Sequence, residues 1–373
     1  MIADSVRTDA YARALREAVR PGSVVLDIGT GTGIFAMLAC KFGARRVYAI
    51  EPDDSIQLAR EIAAANGYAD RIEFIQDYST AVSLPERADV VVSDLHGLLP
   101  LMQHHIPTII DARERLLKPG GVLIPREDRL WASVAEDAES FERLSAPWLS
   151  DAYGFDMSAG WRYVSSTWRK RKVTPEQLLV EPKHWATLDY AKIEEPNIAA
   201  DLSWEVARDG TAHGIVLWFD ATLGDGVAFS NAPGLPELIY GRSFFFLPRP
   251  VALTKGDSIS LRLRANLVGG DYVWRWETQV LGQGGAGPVK ADFKQSSLGS
   301  APLTAERLRK RSAAFTPDLG EEGRIDCFIL EQMNGETSLE EIARRVVEQA
   351  PTRYKQWQDA LTQVGELSTK YSR

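Results

Sequence analysis

The segment Val24 to Ile34, VVLDIGTGTGI, followed by Val47 to Glu51, VYAIE, constrains the fold of this chain more than any other stretch. An unbroken apolar run reads as a strand buried on both faces, and glycines at 29, 31 and 33 supply a tight turn that opens a helix. A second strand follows and ends in an acid, Glu51, which can accept both hydroxyls of a ribose. A glycine turn alone is weak evidence, since dinucleotide dehydrogenases and unrelated α/β proteins carry one. Two details narrow the reading. The glycines run G-x-G-x-G instead of G-x-G-x-x-G, and Asp27 stands two residues before the first of them. A carboxylate at the mouth of the loop repels a pyrophosphate and attracts an ammonium. S-adenosylmethionine satisfies both ends, with its ribose on Glu51 and its amine near Asp27.

A chain of 373 residues exceeds one ordinary core and predicts two or three domains. Residues 1–129 alternate strand and helix patterns, which predicts a doubly wound parallel sheet with its ligand at the carboxyl ends of the strands. The strands expected are 24–28, 47–51, 72–76, 88–93 and 121–125, with helices over 34–42, 55–66 and 107–117. Asp77 follows the third strand, where it can meet an adenine amino group or cap a turn. Residues 130–299 turn to short alternating segments such as 178–180, 214–219, 243–247, 258–264 and 272–280, the pattern of an antiparallel β domain. Residues 300–373 hold amphipathic helices over 325–333 and 339–348, with Thr337 or Ser338 as the cap of the second.

The bulk properties exclude several classes. Two cysteines, Cys40 and Cys327, supply neither a disulfide framework nor a cysteine zinc site. The start of the chain has an early acid and no apolar run, which predicts a cytoplasmic protein without a membrane span. A net charge of −8 argues against a duplex nucleic-acid partner. The one basic run, Trp168 to Lys172 (WRKRK), reads as a solvated loop or arm.

Several segments together resemble the protein arginine methyltransferase family. These are Met1 to Tyr11 (MIADSVRTDAY), the two cofactor segments 25–34 and 41–51, Lys118 to Pro125 (KPGGVLIP) and Tyr153 to Ser158 (YGFDMS). The resemblance implies a Rossmann-like domain, a β-barrel with an inserted arm, and a homodimer in which the arm, near Trp161 to Lys172, grips the partner. It implies a peptide or protein substrate, and it assigns Arg7 to the cofactor's carboxylate, a pairing that suits a bidentate guanidinium. Met1 falls at the family's second lid helix, so the tyrosine-bearing first helix has no counterpart here. The segment from Glu322 to Ile342 is similar to the small winged-helix domains that recognise peptides in bacterial peptide-modifying enzymes; a plain helical cap fits the pattern equally.

The departures from the family bear on the methyl acceptor. The family's loop after the fourth strand carries two glutamates that hold a guanidinium. Here the loop is SDLHGLLPLMQ, residues 93–103, with the shorter Asp94 in the first place and Gln103 in the second. One charge is missing, and a charge-assisted bond is about twice as strong as a neutral one. Asp94 is expected to orient the acceptor, with His96 and Gln103 as secondary catalytic candidates. His96 could be a general base or a loop residue bonded to backbone. The family's Thr-His-Trp loop is replaced by Ile239 to Arg242 (IYGR), which leaves Asp4 without its histidine. His104 and His105 are adjacent on a helix and do not make a joint metal site. The chain therefore reads as an S-adenosylmethionine-dependent methyltransferase acting on a peptide or protein nitrogen. Its rivals are methylation of a hydroxyl, carboxylate or amide, and a silent paralogue that binds without catalysis.

Overall fold

The computed structural model describes residues 1–151, 153–285 and 287–372, which fall into two compact units, Met1–Pro302 and Leu303–Arg373. The first unit begins with helix α1 (Ser5–Ala18), capped by Asp4, whose side chain accepts from Arg7 N. A parallel sheet follows: β1 (Val24–Ile28), α2 (Ile34–Lys41), β2 (Arg46–Ile50), α3 (Ser55–Ala65), β3 (Ile72–Ile75), β4 (Ala88–Ser93), α4 (His105–Asp111) and β5 (Leu117–Ile124). The strand order is β3-β2-β1-β4-β5. Every residue of β1 is buried, as its apolar run requires of a strand covered on both faces. The chain reverses direction across the sheet between β1 and β4, and in open α/β sheets ligands lie at that switch point, beyond the carboxyl ends of the strands.

The expected strands and helices of this region are present with ends moved by a few residues. The third helix differs in kind. It begins at His105 instead of Pro107, and its last turn widens to a π-helix over Ala112–Leu116.

Two antiparallel sheets come next. Strand β6 (Glu127–Ala135) leads to helices α5 (Ala138–Leu149) and α6 (Ser158–Val164). The strands then run β7 (Trp168–Arg171), β8 (Lys183–Asp189), β9 (Ile198–Glu205), β10 (Gly210–Gly224), β11 (Val227–Ser230), β12 (Arg242–Leu253), β13 (Ser258–Val268), β14 (Asp271–Leu281) and β15 (Val289–Ser296). One sheet has the order β7-β12-β10-β6-β8, with β11 on β10; the other is β15-β14-β13-β9. Their shared core includes Phe245, whose ring centroid lies 5.3 Å from Trp274 and 5.0 Å from Trp276.

Two expectations are corrected here. The basic run is not a loop: Trp168–Arg171 pairs with β12 as strand β7. Leu178 to Val180 is not a strand; Leu178 makes only an isolated bridge to Ala135.

The second unit is helical: α7 (Ala305–Lys310), α8 (Glu321–Gln332), α9 (Leu339–Gln349) and α10 (Trp357–Tyr371). Ile325, Ile329, Ile342, Val346 and Val364 form its own core, and Ser338 caps α9 by accepting from Glu341 N at 3.2 Å. Among the described residues this unit holds no strand, so the expected wing is not part of it. No alternating apolar pattern exists there to build one. No described helix is long and apolar enough to cross a membrane.

Candidate active site

A cavity of about 910 Å³ opens at the switch point. Ile28, Gly29, Ile50, Glu51 and residues 77–80 line one end; Asp94, Leu98, Met102, Gln103, His105 and Tyr240 belong to the other.

At the first end the glycine loop is shaped by sterics. Gly29 has φ +73°, a conformation that strains any residue with a Cβ, and a Cβ there would also have to displace Leu95 Cδ2, 2.8 Å away. Gly31, at φ +52°, turns its N–H to Glu51 Oε2 at 3.0 Å, and Gly33, at φ +79°, starts α2. Glu51 Oε1 accepts from Asp53 N at 3.2 Å. Each carboxylate oxygen therefore has one bond and a further lone pair in reserve, the capacity that two ribose hydroxyls require.

Asp27 lies one residue inside the cavity wall and is buried at 1 % exposure. Its Oδ2 accepts from Thr30 Oγ1 at 2.6 Å, while Oδ1 has no partner. Burial pushes its carboxyl up to about 7, against the hydrogen bond from Thr30, which favours the charged form. An unpartnered buried acceptor beside a glycine cradle fits a ligand that brings a cation. Asp77 stands two residues past the end of β3, exposed on the cavity wall, with Oδ1 bonded to Tyr78 N at 2.7 Å.

The other end is a chain of buried charges that spans the parallel sheet and the β domain. Asp94, at the end of β4, is bonded by Arg7 Nε, by the Tyr240 hydroxyl at 2.7 and 2.8 Å, and by His96 Nδ1 at 2.9 Å. Burial opposes its ionisation, yet the bond and charge of His96, with Arg7 and Tyr240, hold it well below the usual carboxylate range. His96 Nε2 reaches Asp128 of β6 at 3.0 Å, and Asp128 also accepts from the Tyr190 hydroxyl. Its ring stacks on Phe219 at 5.0 Å.

This geometry bears on the two roles expected of His96. Burial alone would lower its pKa, but the charge of Asp128 and the bonds to Asp128 and Asp94 prevail and push it up to about 10. Both nitrogens are committed to carboxylates, an arrangement that favours the protonated ring and leaves it no free lone pair for a substrate. Arg7 is likewise engaged within the protein. Its Nε serves Asp94 and, at 3.0 Å, the Tyr240 oxygen, and its guanidinium lies 5.1 Å from the Phe35 ring. An internal carboxylate thus takes the group that the resemblance reserves for a ligand.

Gln103 lines the cavity, exposed, at φ +44°, a backbone region that costs a non-glycine residue energy and often marks functional positions. Asp4 accepts from Ile239 N at 2.7 Å, so the backbone of the replacing segment supplies a partner for this carboxylate. His184 is exposed on β8 and bonds Thr187 at 2.8 Å. Sequence reasoning missed Tyr240, Asp128 and Tyr190. Only the IYGR replacement gave a local hint of Tyr240. Among the described residues no group of three or more His, Cys, Asp or Glu is placed to hold a metal.

A family model described as the arginine methyltransferase oligomerization subdomain matches residues 127–279, and one described as ribosomal protein L11 methyltransferase matches residues 7–126. An arginine N(omega)-methyltransferase of Streptomyces achromogenes is 31 % identical, the match covering 70 % of this chain and 74 % of that protein. Protein arginine N-methyltransferase 6 of Xenopus tropicalis is 29 % identical over 70 % of this chain and 80 % of its own. Among solved structures, protein arginine methyltransferase 10 of Arabidopsis thaliana superposes with a TM-score of 0.69 at 25 % identity, over 79 % of this chain and 95 % of that one. With the glycine loop, Glu51 and the oligomerization subdomain in place, the chain belongs to the protein arginine methyltransferase family and is an S-adenosylmethionine-dependent methyltransferase.

Proposed function

We propose that the acceptor is an arginine side-chain nitrogen of a peptide or protein. The observation that carries this reading is the position of Asp94, a carboxylate kept ionised at the end of the cavity opposite the glycine loop. The Streptomyces relative is named for methylation at arginine Nω, which points the same way. Bound S-adenosylmethionine supplies an electrophilic methyl group on a sulfonium. The chain's own residues position and exclude. Gly29, Gly31 and Gly33 give the backbone its close approach, Glu51 accepts from the ribose, Asp27 meets the ammonium with its unpartnered oxygen, and Asp77 is assigned to the adenine amino group. Arg7 is assigned to the carboxylate of the cofactor. Its departure from Asp94 leaves Oδ2 for the acceptor cation, with Tyr240 still holding the carboxylate in place. In-line transfer then needs little beyond position.

A neutral acceptor is favoured by one feature. The charges of Arg7, Asp94, His96 and Asp128 already balance, and Gln103 adds none. We also assign a homodimer through the subdomain matched at 127–279, and we assign residues 300–373 to peptide recognition, supported by their separate core. The test is transfer of labelled methyl from the cofactor to a panel of arginine-containing peptides, with the modified atom located by mass spectrometry. Label on an atom other than an arginine nitrogen would overturn the acceptor assignment.

A further inference from the structure

His105, the first residue of α4, is 2 % exposed and belongs to the wall of the acceptor end. Its neighbours are engaged in one chain of bonds: Tyr240 to Asp94, Asp94 to His96, His96 to Asp128 and Tyr190 to Asp128. By geometry His105 alone in this cluster has two buried ring nitrogens, Nδ1 and Nε2, without a well-formed hydrogen bond, although the Leu95 backbone is close enough to favour its protonated form. Its ring stacks on Tyr190 at 5.4 Å and meets His96 edge-on at 5.6 Å. Buried polar atoms without partners are costly and few in folded proteins, so a pair of them on one ring at a cavity wall calls for a ligand or a reaction to use them.

We infer that His105 is a catalytic residue of the methyl transfer, the base that takes the proton released by the acceptor nitrogen. This rests on the transfer function and deepens it. The nitrogen lone pair forms the new C–N bond, the S–CH3 bond breaks, and its electron pair stays on sulfur as a thioether. The N–H proton of the methylated nitrogen passes to the free lone pair of the His105 ring and from there to water as product leaves.

The surroundings prepare the ring for this. Burial and the neighbouring His96 push it down to about 4, while Asp128, a backbone hydrogen bond at Leu95 and Asp94 oppose that effect. A guanidinium nitrogen that has given its lone pair to a methyl group is a strong acid, so a weak base suffices, provided it is unprotonated. His96 cannot serve, since both its nitrogens are occupied by carboxylates.

The test compares wild type with His105→Met, which fills similar space with apolar atoms, and with His105→Gln, which restores a donor and an acceptor. For His105→Met, turnover should fall by about a hundredfold or more, the usual contribution of a general base. Its Tm should equal or exceed that of wild type, because two unpaired polar atoms have been removed. Affinity for S-adenosylhomocysteine, measured by calorimetry, should stay within about twofold, since the ring stands away from the cofactor end. His105→Gln should remain as slow as His105→Met, because an amide takes no proton. Turnover within threefold of wild type in His105→Met would overturn the inference, and so would recovery of the rate in His105→Gln, which would make the ring a hydrogen-bonding spacer. A lower Tm with lost S-adenosylhomocysteine binding would make it a packing residue. A wild type that methylates no acceptor removes the transfer function itself, and this inference with it.

Discussion

At the glycine-loop end of the cavity the polar groups come from neighbouring residues and keep capacity in reserve. Asp27 has an oxygen free, and Glu51 holds two backbone N–H groups with lone pairs to spare. At the Asp94 end the groups come from Arg7, Asp94, His96, Asp128, Tyr190 and Tyr240, and they are matched to each other before any ligand arrives. The first arrangement is a socket. The second is a clasp between the parallel sheet and the β domain, stabilised by charges that water does not screen. Substitutions at the socket should therefore cost ligand affinity and spare the fold, whereas substitutions in the clasp should cost both.

Asp94→Ala is the strongest test of that contrast. It leaves the Arg7 and His96 cations facing each other with only Asp128 to compensate. Transfer should be abolished, and unfolding in denaturant should show a loss of about 3–5 kcal/mol, as when one partner of a buried pair is removed. A variant as stable as wild type would break the contrast. Glu51→Ala should do the reverse. Two lost bonds to a charged group, about 1.5 kcal/mol or more each, weaken S-adenosylmethionine binding about a hundredfold or more in calorimetry, with Tm nearly unchanged.

The two ends also differ in their response to pH. His96 is raised to about 10, so its contribution to stability is complete below about 6.5, its unfolded value, and is lost as pH rises through 10. Asp27, raised to about 7, must release its proton to meet an ammonium. Cofactor affinity should fall as pH drops below 7, by about tenfold per unit at most. Calorimetry at several pH values checks the second, and denaturant titrations between pH 6 and 11 check the first. An affinity flat from pH 8 to 5 would remove Asp27 from the socket.

The smallest effect belongs to Gln103, which is exposed and outside the clasp. Gln103→Glu should raise turnover on arginine peptides severalfold, since an exposed charge pair contributes about 0.2–1 kcal/mol. A fall on the native substrate would instead favour a neutral acceptor.

The socket and the parallel sheet were legible in the sequence because both are local. An apolar run, a turn that favours glycine and an acid at the next strand tip all fall between Val24 and Glu51, and backbone geometry carries them to the same place in any such sheet. The alternating segments of the β domain were legible for the same reason, and failed where a segment as short as Leu178 to Val180 had no partner strand beyond one bridge. The clasp was not legible. Arg7 and Tyr240 are 233 positions apart, and nothing near either one announces the other. Asp94 and His96 were visible as residue types, but their state was not: whether His96 is base or cation depends on Asp128, brought from another sheet to 3.0 Å. His105 was read only as a helix residue, and its unpaired nitrogens emerged from what surrounds it. Local geometry is written in neighbouring residues. Protonation state is decided by burial and by charges that only the assembled fold brings within reach.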